Sequence, residues 1–322
     1  MQATIITDKK TISVKQYTPD DKEVWNDFIK TSKNGIFMFN RNFMDYHSDR
    51  FQDNSLMFYE ENELLALLPA SIHNNEMRSH GGLTFGGFIT NRRMKQAKML
   101  QCFEVLKTYL KQNNIKRLIY KTIPYIYHKS PAQEDLYALF LNKAQFVKFE
   151  PSSTVALNIP YKMSKGKKAQ ISKARRVGVS VEESVDFNRF IDLENQVLQK
   201  YHNTKAVHTG EELTKLKNNF PDNIKLYVAK FNNEIIAGSV IFVYDNLVHT
   251  QYMAANELAR ENGALDLVIQ ELISKYKDTK TYFDFGISSE NNGLYLNTGL
   301  IQQKESFGGN TVVYCTCELD IF

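Results

Sequence analysis

Apolar and polar positions along the chain follow two periods, and together they predict a mixed α/β protein. In the second half, residues 186–199 and 209–219 have apolar residues at helical spacing, whereas 225–230, 234–244 and 247–255 are short apolar runs typical of strands. A helix is predicted over 263–276 and a strand over 281–285. The polar segment 256–262 is interpreted as a loop between strand and helix, and a second apolar segment is expected to start at Leu300 after a turn at Gly299.

The same pattern occurs earlier in the chain. Residues 62–66 read Asn-Glu-Leu-Leu-Ala and residues 233–237 read Asn-Glu-Ile-Ile-Ala, 171 residues further on. In both places the polar pair predicts a tight turn between two strands. At the same offset, a helical pattern begins near Arg92 and is followed by a predicted strand over 116–120. A chance match of five residues is the alternative, but the repeat favours a duplicated α/β domain.

The duplication predicts an amino-terminal domain over 1–160 and a carboxy-terminal domain over 179–322, joined by a basic linker over 161–178. Between 162 and 176 the chain has seven Lys or Arg residues and no acid. Ser164 is positioned to cap a short helix that ends before Gly178. One interpretation is a solvated linker helix, and another is a clamp for an anionic ligand that includes Arg175 and Arg176. Nucleic-acid binding is the third, although no aromatic residue between Tyr161 and Phe187 is available to stack on bases.

Composition limits the classes of protein that fit. The chain is 43% hydrophobic and 24% charged, enough to bury a sizeable core, and its net charge of +4 does not by itself indicate a nucleic-acid-binding protein. Its apolar runs are shorter than the roughly 20 residues of a membrane span. The first thirty residues have no apolar segment, so a cytoplasmic location is expected. Cys315 and Cys317 alternate along a predicted strand, and no metal site is predicted.

Candidate chemistry is concentrated in residues 283–309, where a strand leads into a loop with five glycines. The polar side chains available there are Asp284, Ser288, Asn291, Asn292, Asn297 and Lys304.

On the strand 247–255, His249, Gln251 and Met253 are predicted to share one face, which makes His249 either a solvated residue or a general base. In the first half, residues 121–129 leave a strand at the equivalent position. They form either a packed aromatic turn or an acceptor-binding loop with Lys121, Tyr125, Tyr127 and His128.

The start of the helix over 263–276 is a candidate anion site, because its free amides would suit the pyrophosphate of a cofactor such as coenzyme A. The residues concerned are Tyr252, Arg260, Asn262, Gly263 and Ala264.

Several segments resemble the FemAB-like branch of the GNAT (Gcn5-related N-acetyltransferase) superfamily. In the second half they are residues 244–256, 263–270, 283–288, 293–294 and 299–308. The last of these segments ends in Lys-Glu-Ser-Phe-Gly. In the first half they are residues 65–71 with their proline, His80-Gly-Gly, and Phe85-Gly-Gly-Phe. The resemblance implies two tandem GNAT-like domains with an α+β mixed sheet.

This family transfers amino acids from aminoacyl-tRNA to cell-wall precursors, or acylates amino groups of sugars and small molecules. The resemblance therefore implies an N-acyltransferase acting on an amine of a sugar nucleotide or another cell-envelope precursor, in surface-polysaccharide biosynthesis among other pathways. Acyl-CoA is expected as a co-substrate, with no permanently bound cofactor. Lys304 matches the family's lysine ahead of Phe-Gly, and its implied role is to stabilise a phosphate or the tetrahedral intermediate. Asp284 would act as a base or orient the loop, and Asn292 and Asn297 would contact substrate.

Two departures from the family keep alternatives open. Residues 186–223 are too few for the long helical arm of some aminoacyl-tRNA-dependent members. The run Arg260-Glu-Asn-Gly263-Ala-Leu265 matches only part of the acyl-CoA loop pattern of GNAT enzymes. An aminoacyl-tRNA-dependent peptidyl transferase and a non-catalytic binding module therefore remain as second and third hypotheses. The oligomeric state is left open.

Overall fold

The computed structural model describes residues 11–322. They form two compact units, the first made of the chain up to Glu150 together with Val313–Phe322, and the second of Pro151–Val312. Both divisions fall within long strands, Gln145–Ala156 and Asn310–Asp320. The end of β9, from residue 151, therefore belongs to the second unit, and the end of β17, from residue 313, belongs to the first.

The first unit contains four helices and two groups of strands within its described residues. Its helices are α1 (Lys22–Thr31), α2 (Arg41–Met44), α3 (Gln96–Gln112) and α4 (Glu134–Leu141). Its strands are β1 (Ile12–Gln16), β2 (Gln52–Asp53), β3 (Leu56–Glu60), β4 (Glu63–Leu68), β5 (Ser71–His73), β6 (Glu76–Arg78), β7 (Ile89–Thr90) and β8 (Arg117–Lys121), followed by the start of β9 (Gln145–Ala156).

The second unit follows the same general order of strands and helices. Its helices are α5 (Lys165–Arg176), α6 (Phe187–His202), α7 (Gly210–Asn219), α8 (Glu257–Asn262), α9 (Ala264–Tyr276) and α10 (Thr298–Glu305). Its strands are β10 (Ser180–Ser184), β11 (Ile224–Phe231), β12 (Glu234–Val243), β13 (Leu247–Ala255), β14 (Tyr282–Ile287), β15 (Ser289–Glu290) and β16 (Tyr295–Leu296), followed by the start of β17 (Asn310–Asp320).

In the first unit, the strands pair in the orders β1-β3-β4-β7 and β2-β5-β6-β8-β17. The first group is antiparallel, and β6 runs parallel to β8. Helix α3 buries Met99, Phe103, Leu106 and Leu110 in the core of this unit, at the helical spacing read from the sequence.

In the second unit, the strand order is β10-β11-β12-β13-β14-β9. The pairs are antiparallel except β13 and β14, which are parallel. Helices α5 and α9 bury one face of this sheet in an apolar core that includes Val248 and Phe283. Helix α6 lies on the other face. Gly238 of β12 faces away from the core that contains its neighbour Ala237, and a side chain at Gly238 would lie 3.0 Å from the ring of Phe190 in α6. The sheet therefore separates an apolar layer from the layer that holds the polar side chains described below.

The repeated order predicted from the sequence is present in both units. Asn62 and Asn233 lie in the turns of the β3-β4 and β11-β12 hairpins, and Glu63 and Glu234 are the first residues of the strands that follow. Helix α3 and strand β8 in the first unit correspond to α9 and β14 in the second. The mixed α/β fold class and the repeated order of elements are confirmed.

Two local predictions are wrong. Residues 257–262 form helix α8 instead of a loop, with the side chain of Asn256 capping its first turn through the Ala259 amide at 2.9 Å. The turn predicted at Gly299 is not present, since Gly299 lies in helix α10, where the Leu300 amide is capped by Asn297 at 3.0 Å. In both cases an Asn side chain starts a helix at a position that was interpreted as a turn.

The basic segment 161–178 lies within the second unit. It contains helix α5, whose Ser164 cap accepts a hydrogen bond from the Lys167 amide as predicted. This helix packs on α9 through Ile171 and Ala174. No helix among residues 11–322 is both long and apolar enough to cross a membrane.

Candidate active site

Strands β13 and β14 separate at one point in the sheet. Among the described residues their parallel pairing runs only from Leu247 and Tyr282 to His249 and Asp284. Beyond this point the pairing of β13 with β12 shifts by one residue at Gln251, and the pairing of β14 with β9 shifts after Asp284. Such register shifts are β-bulges, in which an extra residue in one strand bends that strand. A gap between parallel strands therefore opens beside His249 and Asp284.

A histidine and a carboxylate form a hydrogen-bonded pair where the strands part. His249 Nδ1 lies 2.7 Å from Asp284 Oδ2. Asp284 Oδ1 accepts hydrogen bonds from Ser152 Oγ at 2.5 Å and Thr154 Oγ1 at 2.7 Å. Asp284 is fully buried, and its three donors satisfy a carboxylate that burial alone would destabilise. The pair fixes the tautomer of His249 with its basic nitrogen at Nε2.

The register of the strands explains why these residues meet. His249 pairs with Asp284 across β13 and β14, and Asp284 pairs with Thr154 across β14 and β9. Residues paired in this way project from the same face of a sheet. The side chain of His249 is 12% exposed, so its imidazole is accessible from solvent although Asp284 is not.

Lys304 of α10 holds the end of β14 in place. Its Nζ donates to the carbonyl oxygen of Gly286 at 2.9 Å and to that of Ile287 at 2.6 Å. The residue is only 4% exposed, and burial lowers its pKa from 10.5 to about 8, while the charge of Asp284 acts in the opposite direction. An ammonium group has three donors, so Lys304 has one beyond these two carbonyls.

The predicted face of His249 requires a correction. Because Gln251 is unpaired in the register with β12, His249 pairs with Phe242 and Tyr252 pairs with Val240. Phe242 and Val240 are two residues apart on β12 and share a face, so Tyr252 lies on the face of His249. A strict alternation along β13 had placed them on opposite faces.

A second polar cluster lies on this face, around Tyr252. Its hydroxyl is 2.7 Å from His208 Nδ1. Burial raises the pKa of Tyr252 to about 12, and the nearby charge of Glu194 adds to the effect. Glu194 of α6 is 7% exposed, burial raises its pKa to about 7, and its Oε2 has no hydrogen-bond partner among the described residues.

Four of the five residues predicted to bind a cofactor phosphate lie at or just before the start of α9 in the chain, whereas Tyr252 lies on the opposite face of the sheet. A side chain at Gly263 would lie 2.6 Å from the carbonyl oxygen of Gln170, so α5 covers this point. Ala264 is buried, and Asp266 in the first turn of α9 pairs with Lys167 of α5 at 2.6 Å. The Arg260 guanidinium stacks 4.3 Å from the centre of the Tyr201 ring. Asn262 is the last residue of α8.

The two arginines predicted for an anionic clamp are at the end of α5. Arg175 is exposed and pairs with Glu271 of α9 at 2.7 Å, and Arg176 is exposed at the last position of the helix. Lys173 donates to the Glu261 carbonyl at 2.6 Å. Together with Lys167, which pairs with Asp266, three basic side chains of α5 therefore attach it to α8 and α9.

The aromatic loop of the first unit is largely packed inside that unit. Tyr127 is buried, and its hydroxyl lies 2.8 Å from that of Tyr314. His128 is also buried, with Nε2 3.1 Å from the Ile123 carbonyl oxygen, and burial lowers its pKa to about 4. These two side chains have the contacts of core residues.

The other two residues predicted in this loop differ in exposure. Lys121 donates to the Leu83 carbonyl oxygen, and burial lowers its pKa to about 8. Tyr125 is 53% exposed.

The polar residues that follow β14 have separate roles. Ser288 is buried, and its hydroxyl has no partner among the described residues. Asn297 caps α10, and its amide donates to Glu290 at 2.7 Å. Asn292 is exposed in a turn with φ of 58°.

The sequence did not single out Ser152, Thr154, Glu194 or His208. Ser152 and Thr154 depend on the register of β9 against β14, which sequence patterns do not contain. Glu194 could have been found, because it lies four residues after Phe190 on the apolar stripe of α6. No group of three or more His, Cys, Asp or Glu side chains in residues 11–322 is arranged to hold a metal ion.

Comparison with known protein families gives a match within the second unit. Residues 162–292 match the family model of an acetyltransferase (GNAT) domain. No curated protein matches the sequence.

Solved structures resemble nearly the whole chain. FemX has a TM-score of 0.66 at 9% identity, covering 94% of this chain and 96% of its own. The carboxy-terminal domain of a protein described as a lysylphosphatidylglycerol synthetase from Agrobacterium fabrum has a TM-score of 0.61 at 12% identity, covering 93% and 91%. A tandem GNAT protein from the clavulanic acid biosynthesis pathway has a TM-score of 0.53 at 8% identity, covering 97% and 99%.

The chain has the fold of two tandem GNAT-like domains, and residues 162–292 match the GNAT family directly. The resemblance to the FemAB-like branch is confirmed at the level of the fold, which this chain shares with FemX.

Proposed function

We propose that the protein is an N-acyltransferase that moves an acyl group to an amine of a cell-envelope precursor. The observation that carries the proposal is the Asp284–His249 pair at the separation of β13 and β14. An imidazole oriented by a buried carboxylate is suited to accepting a proton from an attacking nucleophile.

In the proposed reaction, the neutral amine attacks the carbonyl carbon of an activated acyl group. As the C–N bond forms, His249 Nε2 takes the proton that the amine nitrogen loses, and Asp284 stabilises the resulting imidazolium. The tetrahedral intermediate then collapses, the bond from carbon to the leaving group breaks, and His249 returns the proton to that group. The products are an amide and the protonated leaving group.

Lys304 would stabilise the negative oxygen of the tetrahedral intermediate. With a pKa of about 8 it is mostly charged at neutral pH. Two of its N–H groups are held by the carbonyls of Gly286 and Ile287, which orient the third. A donor fixed in advance and buried from water is worth more to an oxyanion than a mobile surface lysine.

The activated donor distinguishes two forms of the proposal. Acyl-CoA is the first candidate, but the start of α9 gives it little support, because the Gln170 carbonyl oxygen lies close to Gly263 and the first turn of the helix carries the acidic Asp266. The second candidate is an aminoacyl-tRNA. The similarity to a protein described as a lysylphosphatidylglycerol synthetase favours it, since that name implies transfer of a lysyl group.

The test uses the full chain with both donor classes. Acetyl-CoA and longer acyl-CoAs are assayed by release of free thiol with amino-sugar nucleotides, and charged tRNA by transfer of a labelled amino acid to a cell-wall precursor peptide. We expect turnover with one class. His249→Ala should lower kcat on the order of a hundredfold or more, while His73→Ala, at an exposed histidine of the first unit, should leave it unchanged.

Turnover with acyl-CoA alone would select the first candidate, and RNase-sensitive transfer from tRNA the second. Asp284→Asn should reduce kcat with little change in KM, because the amide no longer fixes the tautomer of His249. Full activity in both His249→Ala and Asp284→Asn would overturn the assignment of the site.

A further inference from the structure

We propose that the first unit carries a docking surface for an anionic lipid bilayer. The surface consists of an aromatic patch and a pair of lysines beside it. The aromatic patch is formed by six large apolar side chains between residues 137 and 149, each 39% to 68% exposed: Tyr137, Phe140, Leu141, Phe146, Val147 and Phe149. This proposal does not depend on the proposed transfer reaction.

The aromatic patch is continuous along the chain. Tyr137, Phe140 and Leu141 follow one another at helical spacing and therefore lie on one side of α4. Three residues connect α4 to β9, where the rings of Phe146 and Phe149 stack with their centres 5.6 Å apart. Large apolar side chains scattered singly over a surface are ordinary, whereas a contiguous group marks a contact surface.

The charge of the segment selects the partner. Residues 137–149 include Lys143 and Lys148 and contain no Asp or Glu. Lys143, together with Lys111 of α3, also lines a pocket of about 460 Å³ next to the aromatic patch. Among the described residues, neither Lys111 nor Lys143 is in an ion pair. The pocket also has two acids, Glu318 and Asp320, whose carboxylate oxygens lie 3.7 and 3.2 Å from the guanidinium nitrogens of Arg117.

Aromatic and aliphatic side chains beside unpaired lysines are the combination that binds the interface of an anionic membrane. The rings enter the boundary between headgroups and acyl chains, and the lysines attract the phosphates. A second exposed apolar group, Leu294–Leu296, lies in the second unit next to Glu290 and has no lysine in its segment. It lacks the charge that would favour such a surface.

The proposal is tested by sedimentation of the full chain with vesicles of phosphatidylcholine alone or with about 30 mol % phosphatidylglycerol, at about 0.05 M and about 0.5 M salt. We expect binding to the anionic vesicles, weakened at high salt. The double variant Lys111→Gln/Lys143→Gln should bind roughly 30-fold more weakly, because each lysine near such a surface contributes about a factor of five. Phe140→Ser/Phe149→Ser should lose on the order of tenfold or more.

Matched controls come from the second unit. Lys205→Gln/Lys215→Gln removes two exposed lysines and the same net charge, and Leu294→Ser/Tyr295→Ser removes apolar side chains of comparable exposure. Both should bind like the unchanged protein. All variants alter exposed positions, and circular dichroism checks that each is folded.

Three results would overturn the proposal. One is no binding to anionic vesicles, and another is equal weakening in the control variants. The third is self-association in sedimentation equilibrium that disappears in Phe140→Ser/Phe149→Ser without any vesicle binding. That result would make the aromatic patch a contact between copies of the chain.

Discussion

Two buried carboxylates on the same face of the second unit differ in how they are satisfied. Asp284 receives hydrogen bonds from Ser152, Thr154 and His249. Glu194 has one oxygen without a partner among the described residues, and burial raises its pKa from 4.5 to about 7. A buried carboxylate with donors can stay ionised, whereas one without them favours the protonated form.

This difference predicts how stability depends on pH. Between pH 4.5 and about 7 the folded chain binds the Glu194 proton more tightly than the unfolded chain does. The contribution of Glu194 to stability is therefore greatest below pH 4.5 and is lost as pH rises to about 7. In the unchanged protein, the free energy of unfolding should fall by on the order of 3 kcal/mol between pH 4.5 and pH 8 because of Glu194. Glu194→Gln should abolish this fall.

Urea unfolding of the second unit between pH 4.5 and pH 8 measures the effect. Glu234→Gln, at an exposed glutamate of β12, serves as the control and should change the pH dependence little. An unchanged pH profile in Glu194→Gln would show that the carboxyl group is not held in the protonated form.

At the scale of elements, strand β14 ends in a conformation that only glycine adopts easily. Gly286 has φ of +73°, and a side chain there would lie 3.1 Å from His249 Cε1. Its carbonyl oxygen is held by Lys304. The bend of β14, the position of His249 and the orientation of Lys304 therefore depend on one residue.

Gly286→Ala should impair both stability and catalysis. The positive φ costs roughly 1–2 kcal/mol for a residue with a side chain, and the methyl group would displace the imidazole. A shift of this kind is expected to lower kcat on the order of tenfold to a hundredfold. Gly178→Ala is the matched control, since Gly178 has φ of +88° with nothing within 4 Å of the added carbon. Equal kcat in the two variants would contradict the role assigned to Gly286.

Local signals in the sequence predicted most elements of the second unit. Asp186, Thr209 and Ser164 all cap helices as their residue types indicate. The shift at Gln251 was not predictable, because it depends on how β13 pairs with β12, and this shift places Tyr252 on the face of His249. The sequence alone singled out Asp284, His249 and Lys304 as candidates but not Ser152 and Thr154, which donate to Asp284.

At the scale of the whole molecule, the duplicated order of elements is visible in the sequence, but the bounds of the compact units are not. Residues 152–156 lie at the end of the predicted first domain and pair with β14 in the second unit. Residues 316–320 lie at the end of the predicted second domain and pair with β8 in the first unit. Long-range pairing of this kind leaves no local pattern, so the predicted boundary at 160 differs from the division at 150.

Because residues 152–156 belong to the second unit, fragments that contain or lack them are expected to differ in stability. A fragment of residues 151–312 retains Ser152 and Thr154, so β14 keeps its neighbour and Asp284 keeps both hydroxyl donors. A fragment of residues 161–322 lacks this segment, which exposes an edge of β14 and leaves Asp284 with two fewer hydrogen bonds. Each lost hydrogen bond to a buried charged group costs roughly 1.5–3 kcal/mol. We expect cooperative thermal unfolding of 151–312 and a large loss of stability in 161–322. As a control, Ser152→Ala/Thr154→Val in the fragment 151–312 removes the two hydroxyl groups and keeps the pairing of β9 with β14. If the fragments 151–312 and 161–322 were equally stable, the second unit would fold without residues 152–156 of β9.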